Sequence, residues 1–446
     1  MVSENNSSKV FEGLLFPKIF RTFRMAIQPT KLIIAFSALI IICLAGRIMD
    51  LSETVVVIRN TQGKIADTEL QTFMNNPDLV KAYIGKYRRQ SQGAGVFSTL
   101  WHFTATKFQG SVDSVFALDI PGVVKNVADY FKAAEWVLRH HFIYCIIFFV
   151  ITHSVISIAG GAICRIAALQ FSRGEKPGLT EALRFSTKRF TSFFVAPLTP
   201  VGIIIVPVVF IFLLGLIGNI PWAGELIIGI SVPLALIAGA LITVVLIGMF
   251  AGFNLMFPAV AYDGSDCFDS ISRSFSYVYA KPWRMGFYTT IAAVYGAISY
   301  TFVRFFAFIL LLVTHRLLEL GVWVENSKEV CKLTAIWTKP EFMKLLGSSD
   351  IATTNWAESV AAFLVYLFLL AVVGLVVSFI ISFYFSTNTI IYSLMRYKVD
   401  NTALEDIYTT YFDEAEIEPD TIEFQPQQDQ LQSEPQAEPD SSSPQD

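Results

Sequence analysis

Long unbroken apolar runs alternate along the chain with shorter stretches in which apolar positions recur every third or fourth residue. The runs cover Lys31 to Asp50, His141 to Leu169, Ser192 to Ile220, Leu226 to Ala261, Met285 to Leu318 and Ser359 to Tyr392. A hydrocarbon core of about 30 Å is crossed by roughly 20 helical residues, and each run reaches that length. None shows the alternation of a lipid-facing barrel strand. The pattern predicts an all-α fold: a polytopic membrane protein of about six transmembrane helices with amphipathic interfacial helices. Pro197, Pro200, Pro207, Pro233 and Pro258 fall in or at the ends of the third and fourth runs, where a missing amide donor predicts kinks, tilts or re-entrant turns.

The periodic stretches lie between runs. In "SDCFDSISRSFSYVYAKPWR", Asp266 is the expected N-cap, with Asp269 three residues on. Phe268, Ile271, Phe275 and Val278 then share one face, and Ser270, Arg273, Ser276 and Tyr277 point elsewhere. Pro282 ends the helix, and Trp283-Arg284 supplies an aromatic ring and a cation where the next run enters the membrane. The connector "SRGEKPGLTEALRFSTKRFTSFF" repeats this plan. It has an expected N-cap at Thr180 followed by Glu181, an apolar set of Leu183, Thr187, Phe190 and Phe194, and a basic set of Arg184, Lys188 and Arg189. The N-terminal "VFEGLLFPKIFRTFRMAIQPTK" is a looser third case, so the chain reads as repeats of a basic amphipathic helix followed by a span.

Residues 51–139 form the largest non-spanning piece and lack the repeated strand and turn signals of a sandwich or barrel. They read as mostly helical. "DIPGVVKNVADYFKAAEWVLRHHFIY" places Pro121 near a helix start, with Val124, Val127, Phe131 and Val137 at helical spacing, and continues toward the second span. Phe97, Trp101, Phe103 and Phe108 suit a segment lying on the bilayer or packing on the spans. A small substrate-binding ectodomain is the alternative reading. The organisation is a basic segment over 1–30, a first span over 31–50, this outer loop, and a five-span domain over 140–398. Within that domain the connectors cover 172–191 and 263–284 and an outer loop covers 319–357; an acidic tail follows over 399–446.

Composition sharpens the class. Of 446 residues 54% are hydrophobic and 16% charged, against about 25% charged in a soluble chain. The basic flanks, Lys18, Arg21, Arg24 and Lys31, then Arg173, Lys176, Arg184, Lys188 and Arg189, then Arg273, Lys281 and Arg284, then Arg396 and Lys398, all fall on one side of a six-span chain. Basic flanks mark the cytoplasmic side, so both termini are expected there. Trp222, Trp323, Trp337 and Trp356 then belong to the outer boundary and Trp283 to the inner one. The first run is expected to stay as a signal anchor, since about 30 residues precede it, a longer lead than most secretory n-regions have.

No basic residue follows Lys398, and the acidic, Gln-, Pro- and Ser-rich tail dominates the chain's net charge of −4. It is expected to be disordered, either as a solvating tail or as a docking segment for a protein partner. The remainder is basic and suits the lipids of an anionic leaflet. Nucleic acid is not an expected partner, and the oligomeric state is left open.

Candidate chemistry is sparse. No Asp or Glu lies well inside a run, whereas coupled carriers usually hold paired intramembrane charges. The basic candidates are Arg165, expected to snorkel to the inner face, His315, expected near the outer face, His153, and the deeper Arg304. Arg304 reads either as a contact for a lipid phosphate or anionic substrate, or as a side chain bonding the interface or backbone carbonyls. His140 and His141 are adjacent and do not face one another, with only His102 and His315 on their side, so no metal centre is expected. The five cysteines are scattered singly and imply no disulfide framework, with only Cys331 expected outside the membrane on the far side. No nucleophile elbow, phosphate loop or metalloprotease motif appears, so no catalytic, cofactor-binding or metal residue is assigned. Gly248 with Gly252, Ser157 with Gly161, and Gly374 with Ser378 are small pairs suited to close helix packing within the chain.

The series "NLMFPAVAYDGSDCFDSISRSFSYVYAKPWRMGFY" resembles a signature in the multi-span domain fused to some bacterial glycerophosphodiester phosphodiesterases and in stand-alone uncharacterised membrane proteins. The matching positions are Pro258, Asp263, Arg273, Ser274, Trp283 and Arg284. "FRMAIQPTKLIIAFSALIIICLAG" and "IIYSLMRYKVDNTALEDIY" are similar to the ends of such proteins. The resemblance implies an architecture and no catalytic residues, because the chemistry of the fused enzymes belongs to a barrel domain of about 250 residues for which no stretch here is long enough.

The expected function is that of a non-enzymatic membrane protein that organises the envelope or serves as an accessory subunit. Arg184, Lys188, Arg189, Arg273, Lys281, Trp283, Arg284 and Arg304 are the expected lipid-headgroup or interface contacts. A carrier or channel for a lipid or other amphiphile, lined by Arg304 and the proline-broken third and fourth spans, is the rival reading; a lipid-modifying enzyme is the third.

Overall fold

Six helices long and apolar enough to cross a membrane dominate the computed structural model, which describes residues 15–52, 54–59, 65–87, 92–321, 332–342, 344–346 and 355–408. Numbering helices of six or more residues, these are α1 (Pro29–Met49), α6 (Phe142–Ser172), α9 (Thr199–Ile217), α10 (Ala223–Asp263), α12 (Pro282–Gly321) and α13 (Trp356–Val399). The expected all-α polytopic fold is the one observed. Trp323, Cys331, much of the 319–357 loop and the tail beyond Tyr408 lie outside the described residues.

α10, α12 and α13 each exceed 39 residues, so at 1.5 Å per residue they outrun a bilayer core of about 30 Å. They run on at one end, here called basal, where the N-terminal segment, both connectors and the end of α13 meet. Ile19, Met25, Ala167, Tyr262, Tyr277, Tyr288, Tyr392 and Met395 share the main buried cluster. Small residues let backbones approach there. A Cβ on Gly161 would meet Ser186 Oγ at 2.5 Å and Phe193 at 2.8 Å, and one on Gly248 would meet Phe275 at 2.9 Å. The small pairs noted in the sequence therefore serve contacts within the chain.

Both basal connectors are helices, turned differently from expectation. α11 (Cys267–Ala280) has Asp266 as its N-cap, the side chain accepting from Asp269 N at 2.8 Å. It buries Ser270, Ile271, Ser274, Tyr277 and Val278 and leaves Phe268 67% exposed. The serines face inward because they are small: Ser274 O comes within 3.4 Å of a Cβ built on Gly252 of α10. The other connector begins earlier than expected, as α7 (Leu179–Lys188) with Gly178 rather than Thr180 at the N-cap. α7 buries Ala182, Phe185 and Ser186, not the expected Leu183 and Thr187. It breaks at Arg189 into α8 (Phe190–Val195) before α9.

The opposite, distal end holds the piece over 51–139. Its helices are α2 (Glu69–Asn75), α3 (Val80–Tyr87), α4 (Val96–Phe116) and α5 (Ile120–His140). Beside them lies a three-stranded antiparallel sheet, order β2-β1-β3, of β1 (Val55–Arg59), β2 (Ile65–Thr68) and β3 (Gln92–Ala94). The sheet is an addition to the mostly helical loop read from the sequence. β1 is β-branched throughout Val55–Ile58, and Val55 and Val57 pack against Leu70, Phe73, Val96 and Trp136. α4 and α5 form a hairpin laid against the spans, with Phe131 6.0 Å from Phe250 of α10 and Phe108 5.1 Å from Tyr300 of α12. α5 does not run on into the second span, because the chain turns at His141 (φ −131, ψ 46) before α6 begins.

Candidate functional site

At the basal end the polar residues of four segments converge on Asp263, the last residue of α10. Arg396 Nε lies 3.1 Å from Asp263 Oδ1 and Arg273 3.4 Å from Oδ2, while Tyr392 donates its phenol proton to the same carboxylate. Gly264, in the left-handed region (φ 61), turns the chain from this acid into α11. Arg273 also pairs with Asp269 at 2.9 Å, and Tyr277 donates to Asp400 at 2.5 Å. Arg396 reaches the Asp406 carbonyl at 2.5 Å, Tyr262 donates to the Leu404 carbonyl, and Lys281 donates to the Lys398 carbonyl. The segment after α13 is thus tied down across the basal face.

A carboxylate with 6% side-chain exposure would be expelled or neutralised without such partners. For Arg273, burial lowers the pKa, but Asp263, Tyr392 and Asp269 outweigh it and leave the pKa above its ordinary value, so the guanidinium stays charged. Burial, then the bond to Asp400, pushes the Tyr277 phenol upward and keeps it a neutral donor.

The expected interface residues divide into two sets. Arg184, Lys188 and Arg284 are exposed, Trp283 is 90% exposed and Arg189 half-buried. Arg273 and Lys281 instead serve the Asp263 network. Arg304 is drawn into the protein as well. Its Nε donates to the Phe342 carbonyl at 3.1 Å, and its NH1 donates to Tyr300 at 2.7 Å and to Gln109 Oε1. The guanidinium lies over the Phe342 ring. Arg304 therefore joins α12, α4 and the segment around Phe342.

Other polar residues are placed where the sequence did not put them. Arg165 does not snorkel: it is 5% exposed, donates to the Ala261 carbonyl at 3.0 Å and stacks over Phe185. Lys31, read as a flanking charge, is fully buried and donates to Gln170 Oε1 at 3.0 Å and Ser386 Oγ at 3.3 Å. Trp337 is no belt residue; it is 6% exposed and packs edge-on against His315, which is buried against the Trp337 carbonyl. His153 Nε2 lies 2.8 Å from the Phe194 carbonyl. Distally, Glu69 accepts from Trp136 Nε1 at 3.1 Å and Val56 N at 3.4 Å, with His141 Nε2 3.6 Å away. Among the described residues no group of three metal-ligating side chains converges.

A cavity of about 370 Å³ lies between the α4–α5 hairpin and α10, α12 and α13. Its walls include Phe108, Val112, Ala293, Ala297, Phe383 and Thr387. Among the described residues none of the third span lines it and only Asn254 of the fourth does, so the proline-broken spans do not wall this cavity.

No family model, curated protein or solved structure matches the chain.

Proposed function

We propose that the protein is a non-enzymatic integral membrane protein that organises the envelope or serves as an accessory subunit, its basal end held on the anionic cytoplasmic leaflet of a bacterial inner membrane. The observation that carries this reading is the sorting of basal cations. Arg273, Lys281 and Arg396 tie α10, α11 and α13 together, while Arg184, Lys188 and Arg284 stay exposed, as do the rings of Trp283 and Phe268. Outward cations near an anionic surface contribute about 1 kcal/mol each, and indoles favour the headgroup level. The family resemblance supports the reading, since Asp263 and Arg273 of its signature meet in one network whose role is architectural.

The test is thermal unfolding after reconstitution in phosphatidylethanolamine vesicles with and without phosphatidylglycerol. Wild type gains stability with the anionic lipid, and salt reduces the gain. The Arg184→Glu, Lys188→Glu, Arg284→Glu triple variant loses the gain while remaining folded. An equal gain in both proteins would end the proposal. Single cysteines at Lys188 and Arg284 labelled only from the cytoplasmic side support the orientation; labelling from the other side reverses it.

A further inference from the structure

We infer that the cavity between the α4–α5 hairpin and spans α10, α12 and α13 is a binding site for one acyl chain of a membrane glycerolipid, with the ester region at Thr387 and Asn388. The lining fixes the chemistry first. No Asp, Glu, Lys, Arg or His contributes to it. A phosphate, carboxylate or ammonium placed inside would be a buried unpaired charge, which is prohibitive. The part of the ligand that enters is hydrocarbon with at most a neutral polar group. The volume, about 370 Å³, lies at the small end of ligand sites, which begin near roughly 300 Å³.

Length and access fix the source. From Thr289 to Tyr300 the cavity follows α12 for about 16 Å at 1.5 Å per residue. That is half of a hydrocarbon core of about 30 Å, the reach of an acyl chain from one leaflet. Ala293, on the lining of α12, is itself exposed on the flank of that span. A chain can therefore enter sideways from the bilayer.

An unmet hydrogen-bonding group marks where the ligand's polar atoms go. Thr387 lines the cavity at 5% exposure, and its Oγ1, shielded from the cavity in this rotamer, has no hydrogen-bond partner among the described residues, so a turn about χ1 is what presents it to a ligand. A helical threonine ordinarily bonds the carbonyl four residues back, as Thr389 does with Phe385 at 2.7 Å. A buried hydroxyl without a partner is unfavourable, and an ester carbonyl accepting from it removes that penalty. The Asn388 amide, 6% exposed on the same lining, is the neighbouring polar group. Three other polar groups on the lining are engaged: Tyr384 donates to Asn254 Oδ1 at 2.5 Å, the Tyr300 hydroxyl accepts from Arg304, and Ser111 donates to the Lys107 carbonyl at 2.9 Å.

The experiment uses the full chain in vesicles of phosphatidylethanolamine and phosphatidylglycerol containing a phosphatidylglycerol with a diazirine in one acyl chain. Photolysis is followed by peptide mass spectrometry. Labels are expected to concentrate on the segments 289–300 of α12, 379–391 of α13 and 108–115 of α4. Ala297→Phe fills the cavity, and Ala293→Trp blocks its mouth from an exposed position that leaves folding intact. Either variant removes space that the chain fills, so labelling of these three segments is expected to be largely lost in both. Thr387→Val lowers labelling and shifts the labelled positions along the chain, because the ester is no longer anchored. Labels spread evenly over Phe250, Phe305 and other outward apolar residues, or unchanged in Ala293→Trp, would overturn the site. Unchanged labelling in Thr387→Val overturns the anchoring at that hydroxyl. Stronger labelling by a diazirine fatty acid than by the phospholipid would overturn the glycerolipid assignment in favour of a free acid.

Discussion

The basal and distal halves of the same spans are built on opposite principles. In α6 every residue from Ala159 to Leu169 is buried, and in α13 every residue from Phe385 to Arg396. Those stretches include Arg165, Ser386, Thr387, Asn388, Thr389 and Ser393. In the distal halves, Phe142, Ile143, Leu226, Ile230, Leu236, Phe363 and Phe368 are outward-facing and purely apolar. In lipid, hydrocarbon surface gains nothing by turning inward, so helices associate through small residues and hydrogen bonds. In α6 and α13 the polar part of the span is therefore core, and the apolar part is turned outward.

The strongest way to break this contrast is Arg396→Ala. It strips Asp263 of its nearest cation and releases the Asp406 carbonyl, and removing one partner of a buried pair typically costs about 3–5 kcal/mol. Thermal unfolding in detergent should show a fall of that order. A fall no larger than that of Arg316→Ala, whose partner Glu319 is a surface carboxylate at 2.9 Å, would show that the basal network is not the core.

A glycine pair sharpens the comparison. Gly161→Leu drives a branched side chain into Ser186 and Phe193, with an overpacking penalty of about 1–3 kcal/mol. Gly229→Leu, in the distal half of α10, meets nothing within 4 Å and should change stability by less than about 0.5 kcal/mol. Equal effects at the two positions would erase the distinction.

The smallest expected effect is a pH response confined to the distal piece. Burial raises the Glu69 pKa, but the imidazole of His141 3.6 Å away, with the Val56 and Trp136 donors, leaves the carboxyl below its ordinary value. A depressed folded-state value stabilises above the unfolded-state pKa, and that stability is lost as the pH falls through the folded value. Hydrogen exchange over 55–87 and 92–140 should accelerate on acidification below the usual carboxylate range while the basal spans stay protected. Glu69→Gln should flatten this response, losing about 1–3 kcal/mol locally at neutral pH. Acid loosening of equal size in that variant would assign the effect elsewhere.

The spans were legible because hydropathy alone sets them: the six runs and the six helices agree within a few residues at most ends. The Asp266 cap was legible too, since capping depends on neighbours three residues apart. The burial sides of α7 and α11 were not. An amphipathic pattern marks an apolar stripe, whereas these helices turn Ser186, Ser270 and Ser274 inward because close approach matters more than apolarity. Lys31 and Arg165 were misplaced for a related reason: a charge near a run's end looks interfacial until helices that continue past it cover it. The distal sheet is not legible in the sequence because its strands are three to five residues long and helices stand between β2 and β3, which gives no repeated alternation. Thr387 offered no signal at all, since nothing in one strand of sequence says which threonine lacks a partner.

The ties around Asp263 also impose an order of assembly. Its acid emerges from the ribosome with α10, but Tyr392 and Arg396 arrive only at the end of α13, and the Asp406 carbonyl that anchors Arg396 arrives later still. Until then, the carboxylate waits at the membrane edge with Arg273 as its only nearby cation among the described residues. A chain halted before Arg396 would carry a standing defect there, and a finished one would latch shut. The same acid that fixes the basal core thus reports whether synthesis has run through the last span.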